Sequence, residues 1–387
     1  MKQIWLWLIT FYCHASLAQI PGVSPVSPWQ FDGYVKFMAS AYVFDNASNS
    51  GEYLIHNRLN FAYTTTDAGS FNLSLRNRLI ANNAAANPNY AELLSYDPGY
   101  FDLSKNWVEH QQFIVNSQID RAYWTLQKQQ QQLRLGRQRI NWAMATVFNP
   151  NDLFNAYSIY DFDYEEGPGS DSLVYSLHRN YATEFNIALS QEQEDNSQSA
   201  LLRYRSNNYA SDWQILGGIN RDRMVIGSGF ASDIAASNIR GEWSYFSKPN
   251  NELDTSPASH VATLESESLL RPESALMLRL SLLYISQPQA INPLAYLTQR
   301  TDARNLSFSR WTAFANLGFD INALNRVELS SSYYSDQSYY LGLSNQSSLA
   351  ENWELLMIAQ WFDGMQASST FSNNSGGQFS ARLKWSF

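Results

Sequence analysis

The sequence predicts an all-β protein, a transmembrane antiparallel β-barrel. Apolar and polar residues alternate over the last nine positions, so a strand there has one lipid-compatible face and one polar face. The apolar face carries Phe379, Ala381, Leu383, Trp385 and Phe387. Mean hydropathy is −0.36, which suits a barrel because only every second residue of each strand faces lipid.

The carboxy-terminal strand resembles the closing strand of Gram-negative outer-membrane β-barrels. In those proteins the last aromatic residue is part of the signal that the barrel assembly machinery reads. The resemblance implies that Phe387 and Trp385 form an assembly signal. It also implies the outer membrane of a Gram-negative cell as the location, with outer-membrane lipid, lipopolysaccharide and the assembly machinery as partners.

Residues 1–18 are typical of a signal peptide. Lys2 precedes an apolar run over residues 4–12, and small residues precede the predicted cleavage point before Gln19. The one cysteine, Cys13, lies in this segment, so the mature chain is expected to have no thiol and no disulfide. An uncleaved helical anchor is the alternative, but the run is about half of the roughly 20 apolar residues that span a bilayer.

Composition favours one large barrel after the signal peptide. Aromatic residues make up 14% of the chain and charged residues 16%, whereas a soluble domain usually carries about 25% charged residues. Aromatic side chains form girdles at both interfaces of a membrane barrel. No Pro/Ser/Gly-rich linker divides the chain, which predicts a short periplasmic segment over 19–29 and a single barrel over 30–387.

Alternating segments of about 9 to 13 residues recur along the chain, the length that a tilted strand needs to cross a bilayer. Their number predicts about 16 strands, within a range of about 14 to 18, joined by short periplasmic turns and long extracellular loops. Alternation is weak over 200–270 and 335–350, where we predict turns at Asn207–Asn208, Arg221–Arg223 and Ser232–Asp233. A water-soluble β-sandwich would also alternate, but it would not need so many long strands.

One long segment carries most of the functional content. It begins with Arg134-Leu135-Gly136-Arg137-Gln138, followed by Trp142 and then Asn149-Pro150-Asn151-Asp152. This pattern resembles a motif of a porin-type family of proteobacterial outer-membrane proteins, in which Gly usually follows the Trp where Ala143 stands here. By strand count, residues 141–171 form the third long loop, which in general porins folds into the lumen and narrows it. The resemblance therefore implies an inward-folding loop over 141–171.

Charged residues indicate how such a loop would act. The predicted basic wall of the pore consists of Arg58, Arg76, Arg78, Arg121, Arg134 and Arg137. The predicted acids of the constriction loop are Asp152, Asp161, Asp163, Glu165 and Glu166. Arginine on one side and carboxylate on the other would set a transverse field that favours polar and zwitterionic solutes.

The alternation of faces along a strand limits which of these arginines can face the lumen. Arg134 shares one face of its strand with Gln138, whereas Arg137 and Arg139 share the other face. An Arg that faces lipid near the midplane costs about 2 to 4 kcal/mol, so we expect a bulge or a strand exit at Gly136. The alternative role for these charges is to pair with one another and hold the loop, and both roles are compatible.

Aromatic residues of the loop support a second hypothesis, a channel specific for carbohydrate. The rings that could contact a sugar are Trp142, Tyr157, Tyr160, Phe162 and Tyr164. The alternative is that they form a small core of the loop itself. The two interpretations differ in whether the rings face the lumen or pack on the wall.

The sequence does not predict an enzyme. It has no Gly-x-Ser-x-Gly turn, no Cys/His cluster with metal-ligand spacing and no glycine-rich phosphate loop. We therefore expect no catalytic residue, no bound metal and no cofactor. The formal charge of −9 does not indicate nucleic acid binding.

The predicted function is a porin-like channel for passive diffusion of small hydrophilic solutes across the outer membrane. A substrate-specific channel for carbohydrate or another small solute is the first alternative, and a closed structural or binding barrel is the second. An outer-membrane hydrolase is less favoured. The sequence pattern is equally compatible with a homotrimer and with a monomer.

Overall fold

The alternating segments of the sequence form antiparallel strands that close into a barrel. A computed structural model describes residues 27–65, 69–82, 88–156, 169–193, 197–250, 255–290, 302–372 and 375–387. The predicted signal peptide lies outside the described residues. The strands are β1 (Trp29–Phe44), β2 (Ala47–Thr64), β3 (Gly69–Asn82), β4 (Ser104–Glu109), β5 (Phe113–Lys128), β6 (Gln131–Gln138), β7 (Ser170–Asn180), β8 (Thr183–Gln191), β9 (Gln198–Asn208), β10 (Ser211–Asn220), β11 (Arg223–Ile234), β12 (Ser237–Phe246), β13 (Ser259–Arg271), β14 (Leu276–Ile285), β15 (Trp311–Asn322), β16 (Asn325–Tyr334), β17 (Ser338–Ala350), β18 (Trp353–Gly364) and β19 (Gly376–Ser386).

Each wall strand pairs with its neighbours in sequence, and β1 also pairs with β19, which closes the sheet. At the seam, the backbone N–H groups of Gly33 and Phe387 each donate to the carbonyl of the other at 3.0 Å. The Phe387 ring packs 5.8 Å from Phe31 and 5.1 Å from Trp385, between ring centroids. The terminal aromatic residue is thus built into the closure of the barrel.

Eighteen long strands form the closed wall, and β4 is a short addition from the segment between β3 and β5. β4 pairs with one end of β5, at residues 114–118, while β6 pairs with the other end, at residues 122–128. Both use the same edge of β5, because β3 occupies the opposite edge. The count of 18 lies within the predicted range.

The one α-helix among the described residues, α1 (Pro88–Ser95), follows β3. Its Tyr90 and Leu94 pack against Met38, Leu54 and Ile80, which project from the inner face of the wall. No helix in the described part of the chain is both long and apolar enough to cross a membrane.

Short turns and long segments lie at opposite rims of the barrel. We call these the short-turn rim, with two-residue turns such as 181–182, 209–210 and 351–352, and the long-loop rim, where the chain leaves β6 at Gln138 and enters β7 at Ser170. Two predicted turns are wrong in position. Asn207–Asn208 end β9 and Ser232–Asp233 lie within β11, so the turns fall at 209–210 and 235–236. These strand ends lie beside the short-turn rim and carry polar residues on both faces, which resemble turn residues in the sequence.

The two faces of the wall differ in chemistry. Outward side chains are apolar and exposed, for example Leu202 at 58% and Ile215 at 61%. Inward side chains are mostly polar and crowded, for example Lys36 at 0% and Arg58 at 1% exposure. An apolar exterior around a polar interior is the arrangement expected for a barrel in a membrane.

Gly33 provides a test of the closure. A Cβ atom at this position would lie 2.3 Å from the Arg58 carbonyl oxygen and 3.0 Å from the Phe387 ring, whereas at Gly51 the nearest atom is 3.7 Å away. We expect Gly33→Val to lower the refolded fraction sharply and Gly51→Val to leave it near the wild-type value, since only the first disturbs the seam. The measurement is heat-modifiable migration on a gel after refolding. Equal yields for the two variants would contradict this account of the seam.

Candidate functional site

After β6 ends at Gln138, the chain enters the barrel. Residues 139–156, which we call the inner loop, pack on the inward face of β7–β14. Ile140, Trp142 and Phe148 of this loop are 1–3% exposed. Their cluster includes the wall residues Val174, Ala188, Leu201, Leu216, Val225, Phe246, Val261, Leu283 and Ile285. This half of the lumen is therefore filled, and free space is left toward the other half.

Small residues in β11 let the inner loop approach the wall. A Cβ atom at Gly227 would meet the Asn151 side-chain oxygen at 2.7 Å, and one at Gly229 would meet the Met144 sulfur at 3.0 Å. Asn151 Nδ2 donates to the backbone oxygen of Ser228 at 2.9 Å, between these two glycines. The loop thus lies directly on the backbone of the wall.

Two wall carboxylates hold the inner loop through its backbone. Glu242 of β12 accepts hydrogen bonds from the N–H groups of Met144, Ala145 (2.7 Å) and Asn151 (2.9 Å). Glu265 of β13 accepts from the N–H groups of Thr146 and Val147, both at 2.9 Å, and from the Thr146 hydroxyl at 2.7 Å. Hydrogen bonds to a charged acceptor are stronger than neutral ones, so these carboxylates fix the position of the loop.

Neither carboxylate is among the functional residues that the sequence predicts. Each lies in the region of weak alternation, at a position whose inward direction depends on strand register. The available signal was a single acid between outward-facing residues, as in Gly241-Glu242-Trp243 and Leu264-Glu265-Ser266.

Asp152 faces the wall and is 1% exposed, rather than standing across the pore from the arginines. Its Oδ1 accepts from the Asn155 N–H at 3.3 Å. Burial raises the pKa of Asp152 to about 6, against the opposing effects of the Arg139 charge and the Asn155 N–H. The other predicted loop acids, Asp161, Asp163, Glu165 and Glu166, lie outside the described residues.

Trp142 packs on the wall. Its ring is perpendicular to that of Phe154, with centroids 5.5 Å apart, and the Arg203 guanidinium carbon lies 5.4 Å from its centroid. Gln214 donates to its backbone oxygen at 2.7 Å. The other predicted sugar-contacting rings, Tyr157, Tyr160, Phe162 and Tyr164, lie outside the described residues.

Opposite the inner loop, Lys, Arg and His side chains line neighbouring strands at matching positions. In one cross-strand line, Lys384 of β19 pairs in register with Lys36 of β1, Lys36 with His56 of β2, and His56 with Arg78 of β3. In the next cross-strand line of inward-facing residues, Arg58 of β2 pairs with Arg76 of β3. We call these residues the basic row: Lys36, His56, Arg58, Arg76, Arg78 and Lys384.

One acid enters the basic row because β5 contains a bulge. Ser74 pairs with Arg121 and Leu75 with Ile119, so Asp120 is the extra residue, and both Asp120 and Arg121 are buried on the inner side. Asp120 contacts Arg58 at 2.7 Å and Arg76 at 2.9 Å. The sequence carries a signal that was missed, since apolar residues fall at 115 and 119 before the bulge but at 122, 124 and 126 after it.

The two arginines of the Arg-x-Gly-Arg motif face opposite ways. Arg134 pairs with Val174 and shares its inward face, whereas Arg137 pairs with Asp171 on the outer face. Arg137 is 1% exposed because it lies in ion pairs with Asp97 at 2.5 Å and Asp171 at 2.8 Å. It therefore ties the segment after α1 to the wall and is not part of the basic row.

Gly136 explains how the strand accommodates this pair. It has a φ of +121°, and a Cβ atom there would lie 2.2 Å from the Ala122 carbonyl oxygen. Only glycine tolerates that backbone conformation and that approach to β5. The expected bulge or strand exit at Gly136 is absent, because pairing with β5 and with β7 stays in regular register through this residue and β6 ends two residues later.

On the opposite wall, each arginine has a carboxylate partner. Arg240 contacts Glu265 at 2.7 Å and Glu267 at 3.6 Å, and Arg279 also contacts Glu267. Near the short-turn rim, Arg326 contacts Asp320 and Glu328, each at 2.9 Å. This wall is therefore charged but locally balanced.

Two cavities lie along the balanced wall. One, of about 270 Å³, is bounded by Thr146 and Val147 of the inner loop and by side chains of β14–β18 that include Asn316 and Gln360. The second, of about 450 Å³, opens at the short-turn rim and reaches Lys384. They mark the space that the inner loop leaves between itself and the rest of the wall.

A second segment from the long-loop rim also folds inward. Leu306 joins the core cluster of the inner loop, and Phe308 packs with Tyr334 and Phe371 inside the wall. Arg221 links this segment to the loop after β8, because it lies 3.2 Å from Glu192 and 3.8 Å from Asp302.

The described residues show no group of three or more His, Cys, Asp and Glu side chains that could hold a metal ion. His56 is 4% exposed within the basic row, and neither of its ring nitrogens has a hydrogen-bond partner in the described part of the chain.

Comparison with known proteins identifies the fold. No family model matches the sequence, and no curated protein matches it. OccAB4 of Acinetobacter baumannii is 10% identical, with a TM-score of 0.60 over 93% of this chain and 98% of that chain. OccK5 (OpdH) of Pseudomonas aeruginosa is 9% identical, with a TM-score of 0.61 over 93% and 98%. The outer membrane protein OprD of P. aeruginosa is 7% identical, with a TM-score of 0.60 over 94% of each chain. At these identities the likeness establishes a shared barrel fold.

Glu242→Gln tests the attachment of the inner loop. The amide keeps one acceptor oxygen but turns an NH₂ group toward backbone N–H donors, and each lost charged hydrogen bond costs about 1.5 to 3 kcal/mol. We expect larger and noisier single-channel currents, and faster proteolysis within residues 139–156. Glu267→Gln is the matched control, because Glu267 contacts arginines and not the loop. Identical behaviour of the two variants would remove Glu242 from this role.

The pKa of Asp152 predicts a pH dependence of loop docking. Because the docked loop raises this pKa to about 6, docking is favoured where Asp152 is protonated. This contribution of Asp152 to the free energy of docking is full below the ordinary Asp pKa of about 4. It decreases by about 1.4 kcal/mol per pH unit between about pH 4 and about pH 6, and it is lost above that range.

Single-channel currents at pH 5 should therefore show fewer excursions than at pH 7. In Asp152→Asn this difference should shrink, because the neutral amide cannot titrate. Glu242 and Glu265 also contact the loop and are present in both proteins, so the part of the difference that disappears in the variant is assigned to Asp152 together with its interaction with the Glu242 carboxyl. An unchanged pH difference in the variant would show that another group is responsible.

Proposed function

We propose that this protein is an outer-membrane channel for passive diffusion of small hydrophilic solutes, with a preference for solutes that carry negative charge. The observation that carries this proposal is the basic row, which faces the lumen across from the docked inner loop. The barrel fold that it shares with OprD and the Occ proteins supports the same proposal. An amino-terminal signal peptide over 1–18 and a carboxy-terminal assembly signal at Phe387 fit delivery to that membrane.

The mechanism follows from the charge distribution. The inner loop fills the half of the lumen lined by β7–β14, so a solute passes between the loop and the remaining wall. There it passes the cross-strand line that contains Arg78, the buried Lys36 and Lys384, while nearby carboxylates such as Glu328 are paired with arginine. An anion or a dipole exchanges ordered water for oriented charged groups, whereas an apolar solute loses water without compensation.

Passive diffusion requires no covalent step and no cofactor, and the proposal includes neither. The basic row binds each solute weakly and at several adjacent points, which allows both entry and release. Arg58 and Arg76 are held by Asp120, so their charge is partly offset, and Asp120 sets how strongly this part of the wall attracts anions.

A substrate-specific channel is the second candidate, and one observation favours it. The cavity of about 270 Å³ beside the inner loop is lined by amide and hydroxyl groups, including those of Asn316, Ser330, Tyr340 and Gln360. Such groups suit a hydroxylated solute. A specific channel would show saturable block of the ion current by its solute, whereas a general pore would show none.

Reversal potentials in a salt gradient test the basic row. We expect the triple variant Lys36→Gln/Arg78→Gln/Lys384→Gln to lower the anion-to-cation permeability ratio by about threefold or more, because these side chains raise the local anion concentration. Asp120→Asn should raise the ratio, since it removes the acid that offsets Arg58 and Arg76.

Arg137→Gln is the matched control. It removes one positive charge from the outer side of the wall, so the ratio should stay at the wild-type value once folding is verified. A change in the ratio that is proportional to the charge removed or added in all three variants would point to net charge rather than to the basic row. A folded wild-type protein that never conducts would overturn the channel itself.

A further inference from the structure

Polar side chains form a line on the outer face of β2, β3 and β5. Ser117 Oγ donates to Asn77 Oδ1 at 2.7 Å, Asn77 Nδ2 donates to Asn57 Oδ1 at 3.3 Å, and Asn57 Nδ2 donates to the Tyr34 carbonyl at 3.2 Å. The three side chains occupy matching register positions on neighbouring strands. We call Asn57, Asn77 and Ser117 the outer polar row.

These residues face away from the lumen. Along each strand, these residues alternate with inward-facing residues. Asn57, for example, stands between His56 and Arg58 of the basic row. Asn57 shares its face with Ile55, which is 46% exposed, and Asn77 shares its face with Leu79, which is 38% exposed. The outer polar row is therefore surrounded by the apolar exterior of the barrel.

The outer polar row also lies near the middle of that apolar exterior. On the outer face of β2, Asn57 is four positions from Phe61 on one side and four from Tyr53 on the other. Four residues of strand span about 13 Å, and the apolar band of such barrels is about 25 Å tall between its aromatic girdles. Asn57 thus stands at the depth where lipid offers no hydrogen bond.

The hydrogen bonds within the chain do not use all the donors of this row. Each amide nitrogen carries two N–H groups, and one bond each is made by Asn57 Nδ2 and Asn77 Nδ2 to the described residues. A polar group without a partner in hydrocarbon costs several kcal/mol. The remaining N–H groups therefore require acceptors from outside the chain.

We propose that the outer face of β1, β2, β3 and β5 is an interface with a second copy of this protein. Copies related by an axis normal to the membrane place every residue at the same depth, so one outer polar row meets the other. The row supplies what its copy lacks, because the carbonyl oxygens of Asn57 and Asn77 and the Ser117 hydroxyl each have a second acceptor site. Polar side chains of this kind hold membrane-embedded segments together.

The size of the face is sufficient. Four strands spaced about 4.8 Å apart and a band about 25 Å tall give roughly 480 Å² per copy. Two copies together would bury about 1,000 Å², the area that a specific interface needs. Ala39 and Ala41 lie on the same face of β1 and allow the backbones to approach closely.

Cysteine cross-linking in outer membranes tests this interface. The variant is Asn77→Cys in a Cys13→Ser background, so that the new thiol is the only one. Ser331→Cys is the matched control, because Ser331 lies on the outer face of β16 between Leu329 and Tyr333, which are 53% and 46% exposed. With a short bismaleimide, we expect at least about tenfold more homodimer from the first variant than from the second.

A second measurement tests the row itself. With Ser117→Cys as the reporter, Asn57→Leu/Asn77→Leu should lower the homodimer fraction by about tenfold or more, because the leucines remove the hydrogen bonds between copies. Each variant is first shown to be folded by heat-modifiable migration. No homodimer from Asn77→Cys, equal yields from both faces, cross-links to a different protein, or an unchanged yield with the leucines would each overturn the proposal. None of these outcomes depends on whether the barrel conducts.

Discussion

The arrangement of the lumen depends on two carboxylates that bind a loop through its backbone. Glu242 and Glu265 together accept five backbone N–H donors of the inner loop. They contact peptide groups rather than side chains, so they fix the path of the loop largely regardless of its sequence. The docked loop fills one half of the barrel, and the remaining passage runs beside the basic row. Without this attachment, the basic row would line a wide opening and exert a weaker field on a passing solute.

Charged side chains are arranged differently on the two sides of the lumen. On the side of the inner loop, Arg240 and Arg279 each face a carboxylate, and such pairs add rigidity without much net field. On the other side, Lys36, Arg78 and Lys384 lie in one cross-strand line, which continues to Glu354 of β18 beside Lys384. Backbone pairing in the closed sheet holds the strands in register and so keeps these like charges close together despite their repulsion. Asp120 neutralises part of the positive charge in the neighbouring line, which contains Arg58 and Arg76.

The sequence was sufficient for the barrel and for the position of its inner loop, because both depend on period-two patterns and on segment lengths. It was insufficient wherever function depended on a shift of one residue. The bulge at Asp120 places an acid in the basic row, whereas Arg137 faces outward by the ordinary alternation of β6. A single-residue shift moves a side chain to the other face of a sheet, so residue type alone could not assign these positions. The role of Glu242 required knowing which strand faces the loop, which is a long-range fact.

The same parity argument separates two kinds of polar residue in this wall. Asn60 and Asn77 look alike in the sequence, since each lies among alternating apolar residues. Asn60 faces inward, where Asn60 Nδ2 donates to Asp32 at 2.7 Å and water can reach the remaining groups. Asn77 faces outward, where only protein or lipid can reach it. The role of a polar residue in a membrane barrel therefore depends on the face it occupies. An outward polar residue at mid-depth is best explained by a protein surface packed against it.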